Sequence, residues 1–298
     1  MREGTYSALI VVLRSDGLTG VGEAPLLPGR PESAALLAAR DTAELDLAAR
    51  AAGVRVADLL GGVRRRRVPC SALVTALKPS EVAAEVERLV AEGFSAVKLK
   101  AANAGGPVDQ ERLGAARWAA GHQVEVRLDF NGRISARQAL AALPGLKAFA
   151  PITFEQPVPA DAPAAAWAAL GDTDALAADE SLAAPELANE LATMGVGLAI
   201  KLATVGGLRQ ALRLAAAGAG RAWVGSSYET SIGLAAAVHV ACAFDREPPP
   251  CGLATVGLLA ADLATGLGVE SGFMALPDGP GLGVELDRAA LRRYRADR

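Results

Sequence analysis

The feature that most constrains this chain is a rhythm. From residue 96 onward, short apolar stretches lead into charged residues at Lys100, Asp129, Glu155, Asp179 and Lys201. The steps between them are 29, 26, 24 and 22 residues. Each step has room for a strand, a loop and an Ala-rich helix, which is what a crossover between parallel strands requires. The stretches run from Ala96 to Lys100, Val124 to Phe130, Phe149 to Phe154, Ala175 to Ala178 and Val196 to Ile200. An earlier stretch, Pro69 to Val74, precedes a helical run from Pro79 to Glu92 and supplies a first strand. Arg221 to Gly225 and Cys251 to Leu259 supply a seventh and an eighth. The expected fold is α/β, a (β/α)7β TIM-like barrel whose chemistry gathers at the C-terminal ends of its strands.

The charged strand ends then acquire a geometry. Ala96-Val97-Lys98-Leu99-Lys100 alternates, so Lys98 and Lys100 share one strand face and Val97 and Leu99 the other. Two ammonium groups side by side repel, which lowers the pKa of a lysine and fits it to act as a base. In a ring of eight, the second and sixth strands are opposite. Lys98 and Lys100 therefore face Lys201, with Asp129, Glu155 and Asp179 on the arc between. Three carboxylates with open positions suit a hard divalent cation, magnesium or its substitute manganese. Taken singly, each motif also reads as a solvated strand face, a helix cap or a turn. Their order and spacing together give the chemistry.

That order, K-x-K, D-x-N, E-Q-P, D-E-S and K at successive strand ends, resembles the enolase superfamily in its muconate-lactonising subgroup. The resemblance extends over roughly Gly17 to Asp287. It implies a metal ion that binds a substrate carboxylate while the neighbouring α-proton is removed. Within the subgroup, Gly22 to Gly29 (GEAPLLPG), with Arg2-Glu3-Gly4 before it, is similar to the cap of o-succinylbenzoate synthases. Gly225-Ser226-Ser227-Tyr228-Glu229-Thr230-Ser231-Ile232-Gly233 and Gly252-Leu253-Ala254-Thr255 also resemble segments of that family. Cys251 to Leu259 contains no aspartate, unlike the dipeptide epimerases of the subgroup. Neither His122 nor His239 lies at a strand end, which disfavours the mandelate-racemase branch.

The remaining sequence frames this barrel. Residues 1–68 read as an α+β capping domain, with a hairpin turning at Asp16-Gly17 and one helical stretch from Pro31 to Ala52. Against the family's cap it is truncated, so either site closure differs or the natural start lies upstream. Residues 69–268 form the barrel, and residues 269–298 return to the cap. Arg64 to Arg67 reads as a solvated linker. A formal net charge of −3 gives no reason to expect nucleic acid or an anionic membrane surface. No apolar run reaches the length of a membrane span. Cys70, Cys242 and Cys251 lack metal spacing and read as reduced core residues of a cytoplasmic protein. Partners are thus expected to be a small carboxylate substrate, without nucleic acid or membrane, self-association being open.

The resemblance implies roles residue by residue. Lys100 removes the α-proton and returns it to the departing hydroxide. Lys201 stays cationic on the opposite face, and Lys98 tunes Lys100 and touches the substrate carboxylate. Asp129, Glu155 and Asp179 hold the metal, and Glu180 stands behind Asp179, with exchange of the two left to loop geometry. Asn131, Ser226, Ser227 and Glu229 are candidate substrate contacts, and the small and hydroxyl residues from Gly225 onward could bind an anion through backbone N–H groups. The implied reaction is dehydration of 2-succinyl-6-hydroxy-2,4-cyclohexadiene-1-carboxylate to o-succinylbenzoate, a step toward menaquinone. Alternatives are N-acylamino acid racemase, dipeptide epimerase, muconate-type cycloisomerase, a phosphate-binding barrel enzyme, or a non-catalytic barrel remnant.

Overall fold

The computed structural model describes residues 6–150 and 152–296, so the Arg2-Glu3-Gly4 similarity lies outside the described residues. The first two strands, β1 (Ala8–Ser15) and β2 (Leu18–Pro25), form an antiparallel hairpin. Asp16 and Gly17 both have left-handed backbones (φ 49° and 77°), the geometry of a two-residue turn that matches strand twist. Helix α1 (Glu32–Ala52) packs on β2 so closely that only glycine fits beneath it. A Cβ on Gly20 or Gly22 would lie 2.3 Å from Ala43 O or 2.0 Å from Ala39 O, respectively. The short helix α2 (Val56–Leu59) completes this unit.

Strand β3 (Arg67–Pro69) stands outside the barrel, and β4 (Ser71–Leu73) begins it. There follow α3 (Pro79–Ala91), β5 (Ala96–Lys100), α4 (Pro107–Ala120), β6 (Glu125–Asp129), α5 (Ala136–Leu146) and β7 (Ile152–Glu155). Then come α6 (Ala164–Ala169), β8 (Leu176–Ala178), α7 (Pro185–Thr193) and β9 (Gly197–Ile200). The run ends with α8 (Leu202–Val205), α9 (Leu208–Ala217), β10 (Ala222–Val224) and α10 (Ser231–Ala243). Strands β4 to β10 form one parallel seven-stranded sheet in chain order. The fourth expected strand starts later than its apolar run, because Lys147–Phe149 turns as a 3₁₀ helix.

The eighth strand is reduced to a bridge. Only Cys251 and Gly252 pair, the first with Cys70 and the second with Gly225. Ser71 N–H donates to Cys251 O (2.8 Å) and Gly252 N–H to Val224 O (2.9 Å), so two residues join β4 to β10 and close the ring. Beyond them Val256–Leu258 turns as a 3₁₀ helix, which ends the pairing expected as far as Leu259.

The ring is filled rather than hollow, as small barrels are. Arg127, almost fully buried on β6, donates to Glu125 Oε2 (2.8 Å) and Pro250 O (2.8 Å). Its guanidinium stacks 4.3 Å from the ring centroid of Trp223, on β10. Arg64, Arg66 and Arg67 of the arginine run are exposed, while Arg65 Nη1 caps the end of α10 through Ala241 O and Phe244 O, and Arg67 stacks on Phe273.

After the bridge the chain forms β11 (Ala264–Thr265), β12 (Val269–Glu270), β13 (Phe273–Ala275), β14 (Glu285–Leu286) and α11 (Arg288–Arg293). Strand β13 pairs with β3. Gly281 exchanges hydrogen bonds with Val54 and Val56, and Leu282 N–H donates to Asp46 of α1 (2.7 Å). His239, fully buried on α10, links all three regions. Its Nδ1 accepts from Ala57 N–H (3.1 Å) and its Nε2 donates to Leu282 O (3.1 Å), so it is a packing residue.

Candidate metal centre and active site

Parallel pairing places the acids side by side. Lys100 is in register with Asp129, and Asp129 with Glu155, while Asp179 follows β8 directly. Asp129, Glu155 and Asp179 are each about 1% exposed, and one carboxylate oxygen from each lies within 4.8 Å of the others. Three lysines surround them. Lys98 Nζ is 2.9 Å from Glu155 Oε1 and 3.2 Å from Asp129 Oδ2. Lys100 Nζ is 2.6 Å from Asp129 Oδ2, and Lys201 Nζ is 2.5 Å from Asp179 Oδ2.

The electrostatics follow from this packing. Burial opposes the charge on Asp129, but Lys98 and Lys100 outweigh it and hold its carboxyl well below the usual range. Burial, reinforced by the neighbouring Asp129 charge, pushes Glu155 up to about 7. Burial also raises Asp179, against the pull of Lys201. Lys98 and Lys201 are only partly exposed, which opposes their charge, yet the carboxylates beside them raise both above the ordinary lysine value. The K-x-K pair is therefore not two bare ammonium groups in repulsion, since both donate to Asp129 Oδ2.

A divalent cation fits these residues. The donor set is all carboxylate oxygen, converged and buried, and burial, with the neighbouring carboxylates, raises Glu155 and Asp179 despite the lysines. Hard oxygen donors of this kind suit magnesium or manganese.

Around this cluster the loops carry the other predicted residues. Asn131 has a left-handed backbone (φ 49°), its N–H donates to Asp129 Oδ1 (2.8 Å), and its Nδ2 donates to Glu180 Oε1 (3.1 Å). Glu180 Oε2 is buried without a hydrogen-bond partner among the described residues. It is Asp179, not Glu180, that joins the carboxylate cluster.

The loop after β10 differs from an open anion site. Its N–H groups do bind carboxylates, but the carboxylates belong to the protein. Glu229 Oε2 accepts from Ser226 Oγ (2.7 Å) and Ser227 N–H (2.6 Å). Glu23 of β2 accepts from Thr230 N–H (3.0 Å), Thr230 Oγ1 (2.6 Å) and Gly233 N–H (2.9 Å). Asp262 takes Ser231 N–H (2.9 Å). Helix N-termini favour negative charge, and here that charge is already in place. Burial pushes Glu23 up to about 7 and raises Glu229 as well. Ser227 Oγ remains buried without a partner among the described residues.

Sequence reasoning assigned no role to Glu23 or Gln156, although both stand inside quoted motifs. A lone carboxylate in the otherwise apolar, glycine- and proline-containing run Gly22 to Gly29 was the available signal for Glu23, and for Gln156 only its place beside Glu155. No helix among the described residues is long and apolar enough to cross a membrane.

A parallel barrel with three acids at successive strand ends and lysines on either side defines a class. Residues 81–290 match the family described as enolase C-terminal domain-like, and the chain belongs to the enolase superfamily, in its muconate-lactonising subgroup. Curated relatives in this family include lyases. Among those similar to this chain is muconate cycloisomerase 1-1 of Acinetobacter lwoffii, 32% identical over 266 residues, covering 87% of this chain and 70% of that protein. The o-succinylbenzoate synthase of Thermobifida fusca (strain YX) is 37% identical over 204 residues, covering 67% of this chain and 63% of that protein. A solved dipeptide epimerase from Methylococcus capsulatus, complexed with Mg ion, has a TM-score of 0.80 and 27% identity, covering 94% of each chain.

Proposed function

We propose that this enzyme is a magnesium-dependent o-succinylbenzoate synthase acting in the cytoplasm on a small carboxylate. Residues 69–268 are the catalytic barrel, with residues 1–68 and 269–298 as its cap. The observation that carries the reading is the separation of two lysines onto different carboxylates of one cluster, Lys100 on Asp129 and Lys201 on Asp179. Such a pair serves any reaction that begins by taking a proton from the carbon beside a carboxylate.

Asp129, Glu155 and Asp179 would hold the metal, which supplies positive charge against the substrate carboxylate as negative charge builds up there. Lys100 is the more exposed lysine of its strand, with 42% of its side chain accessible against 20% for Lys98, so it can reach the α-carbon. It takes the α-proton and hands it to the hydroxyl that leaves from the neighbouring carbon, so that water departs and the ring becomes aromatic. Lys201 holds its proton and offers positive charge on the other side. Lys98, bound to Asp129 and Glu155, fixes both carboxylates and completes the cationic rim. Asn131 orders the Asp129 and Glu180 side chains, and Ser226, Ser227 and Glu229 border the Lys201 side of the site.

The choice within the family is supported by the absence of aspartate in Cys251 to Leu259, by the S-S-x-E-T-S loop, and by the synthase from Thermobifida fusca. A second reading, a muconate-type cycloisomerase, is favoured by the larger number of such relatives. Purified protein with magnesium, offered the hydroxycyclohexadiene carboxylate and cis,cis-muconate in parallel, tests both. Formation of o-succinylbenzoate is expected. Lactone from muconate with no o-succinylbenzoate would transfer the assignment to the cycloisomerase.

A further inference from the structure

Among the residues of the site, one touches the loops after all three acid-bearing strands. Gln156 directly follows Glu155, is fully buried, and has a left-handed backbone (φ 43°), a conformation that costs energy for a residue other than glycine. Every polar group it owns is used. Its N–H donates to Ala177 O (2.7 Å), within β8, and its carbonyl accepts from Gly132 N–H (2.9 Å), in the loop beyond Asp129. Its Oε1 accepts from Asp179 N–H (2.9 Å) and Ser181 N–H (3.1 Å). Its Nε2 donates to Val158 O (2.9 Å) and Ser181 Oγ (2.7 Å).

The consequence falls on Asp179. Strand β8 ends at Ala178, and Asp179 then leaves the extended conformation (φ −126°, ψ −82°) to begin the turn through Ser181. A buried N–H at such a departure needs an acceptor that the sheet no longer supplies. Oε1 of Gln156 supplies it, and the same oxygen holds the next turn residue but one. We propose that Gln156 is a positioning residue for the third carboxylate, its carboxamide setting the Asp179–Ser181 turn so that Asp179 converges with Asp129 and Glu155.

The inference rests on the metal role proposed for the three acids, and its test separates the two. Mn²⁺ affinity is measured by titration calorimetry on the parent protein, Gln156→Met and Ser181→Ala, with folding followed by circular dichroism. Methionine keeps the length of glutamine and removes all four side-chain hydrogen bonds. Its Mn²⁺ affinity is expected to fall about 10–100-fold, the usual effect of losing a partner that orients a ligand. Ser181→Ala removes one hydroxyl that fixes the carboxamide, and a smaller fall is expected. Thermal destabilisation with parent affinity in both variants would make the residue purely structural and overturn the inference. If Gln156→Met does not fold, Ser181→Ala decides alone: weakened binding supports the inference and parent affinity overturns it. No Mn²⁺ binding by the parent would overturn the metal reading and the inference together.

Discussion

Lys100 and Lys201 grip different carboxylates of one buried cluster, the first at 2.6 Å from Asp129 Oδ2 and the second at 2.5 Å from Asp179 Oδ2. Dehydration needs a base on one face of the substrate, whereas racemisation needs a lysine on each. Lys100→Ala is expected to abolish turnover. Lys201→Arg keeps its charge but cannot act as a base, because arginine does not deprotonate in proteins. Residual dehydration by Lys201→Arg, without deuterium exchange into N-succinylamino acids, is expected. Exchange from one enantiomer only would identify a racemase, and full activity in Lys100→Ala would refute the mechanism.

The converged carboxylates predict a requirement for a divalent ion. Asp129→Asn and Glu155→Gln each remove a charged ligand from a site whose donors lie within 4.8 Å. Their Mn²⁺ affinity should fall by more than the roughly 10–100-fold typical of an outer partner. Titration calorimetry checks this, and parent affinity in either variant would remove that acid from the ligand set. Chelation of the parent should abolish activity, and added magnesium should restore it.

His239 predicts an acid limit to stability. Burial pushes this imidazole down to about 4 from an ordinary 6.5, and it is held neutral between Ala57 N–H and Leu282 O. The unfolded chain therefore takes up the proton more readily, and stability falls as pH drops. The contribution is intact above the ordinary value and is lost progressively between about 6.5 and 4. The full effect amounts to about 3 kcal/mol by linkage. Urea titrations across that range should show the decline in the parent and a flatter profile in His239→Gln. Equal slopes would assign the acid sensitivity elsewhere.

Gly233 predicts a packing limit where the amino-terminal hairpin meets the barrel. A Cβ there would stand 2.6 Å from both Cβ and Cγ of Glu229 and 3.2 Å from Glu23 Oε2. Gly233→Ala should cost about 1–3 kcal/mol despite the better helix propensity of alanine. Thermal unfolding measures this, and a variant as stable as the parent would show that Glu229 shifts freely.

The sequence by itself determined the barrel, its strand order and the positions of the three acids and two flanking lysines. These are local facts. Side chains alternate along a strand, parallel neighbours need a helix-length crossover, and residues at successive strand ends become neighbours whatever the rest of the chain does. The tertiary structure decided what depends on distant segments. Glu23 reaches Thr230 across 207 residues and fills N–H groups after β10 that the sequence alone offered to an external anion. Lys98 is tied to Asp129 and Glu155, which no strand periodicity encodes. The eighth strand shrank to Cys251 and Gly252 because two paired residues suffice to close the ring before the chain turns away. Gln156 read as one letter of a motif, and its role exists only where three strand ends meet around a buried carboxamide. Periodicity specifies which way a side chain points. Which charge, amide or ring it meets there is set by packing between elements far apart in the chain.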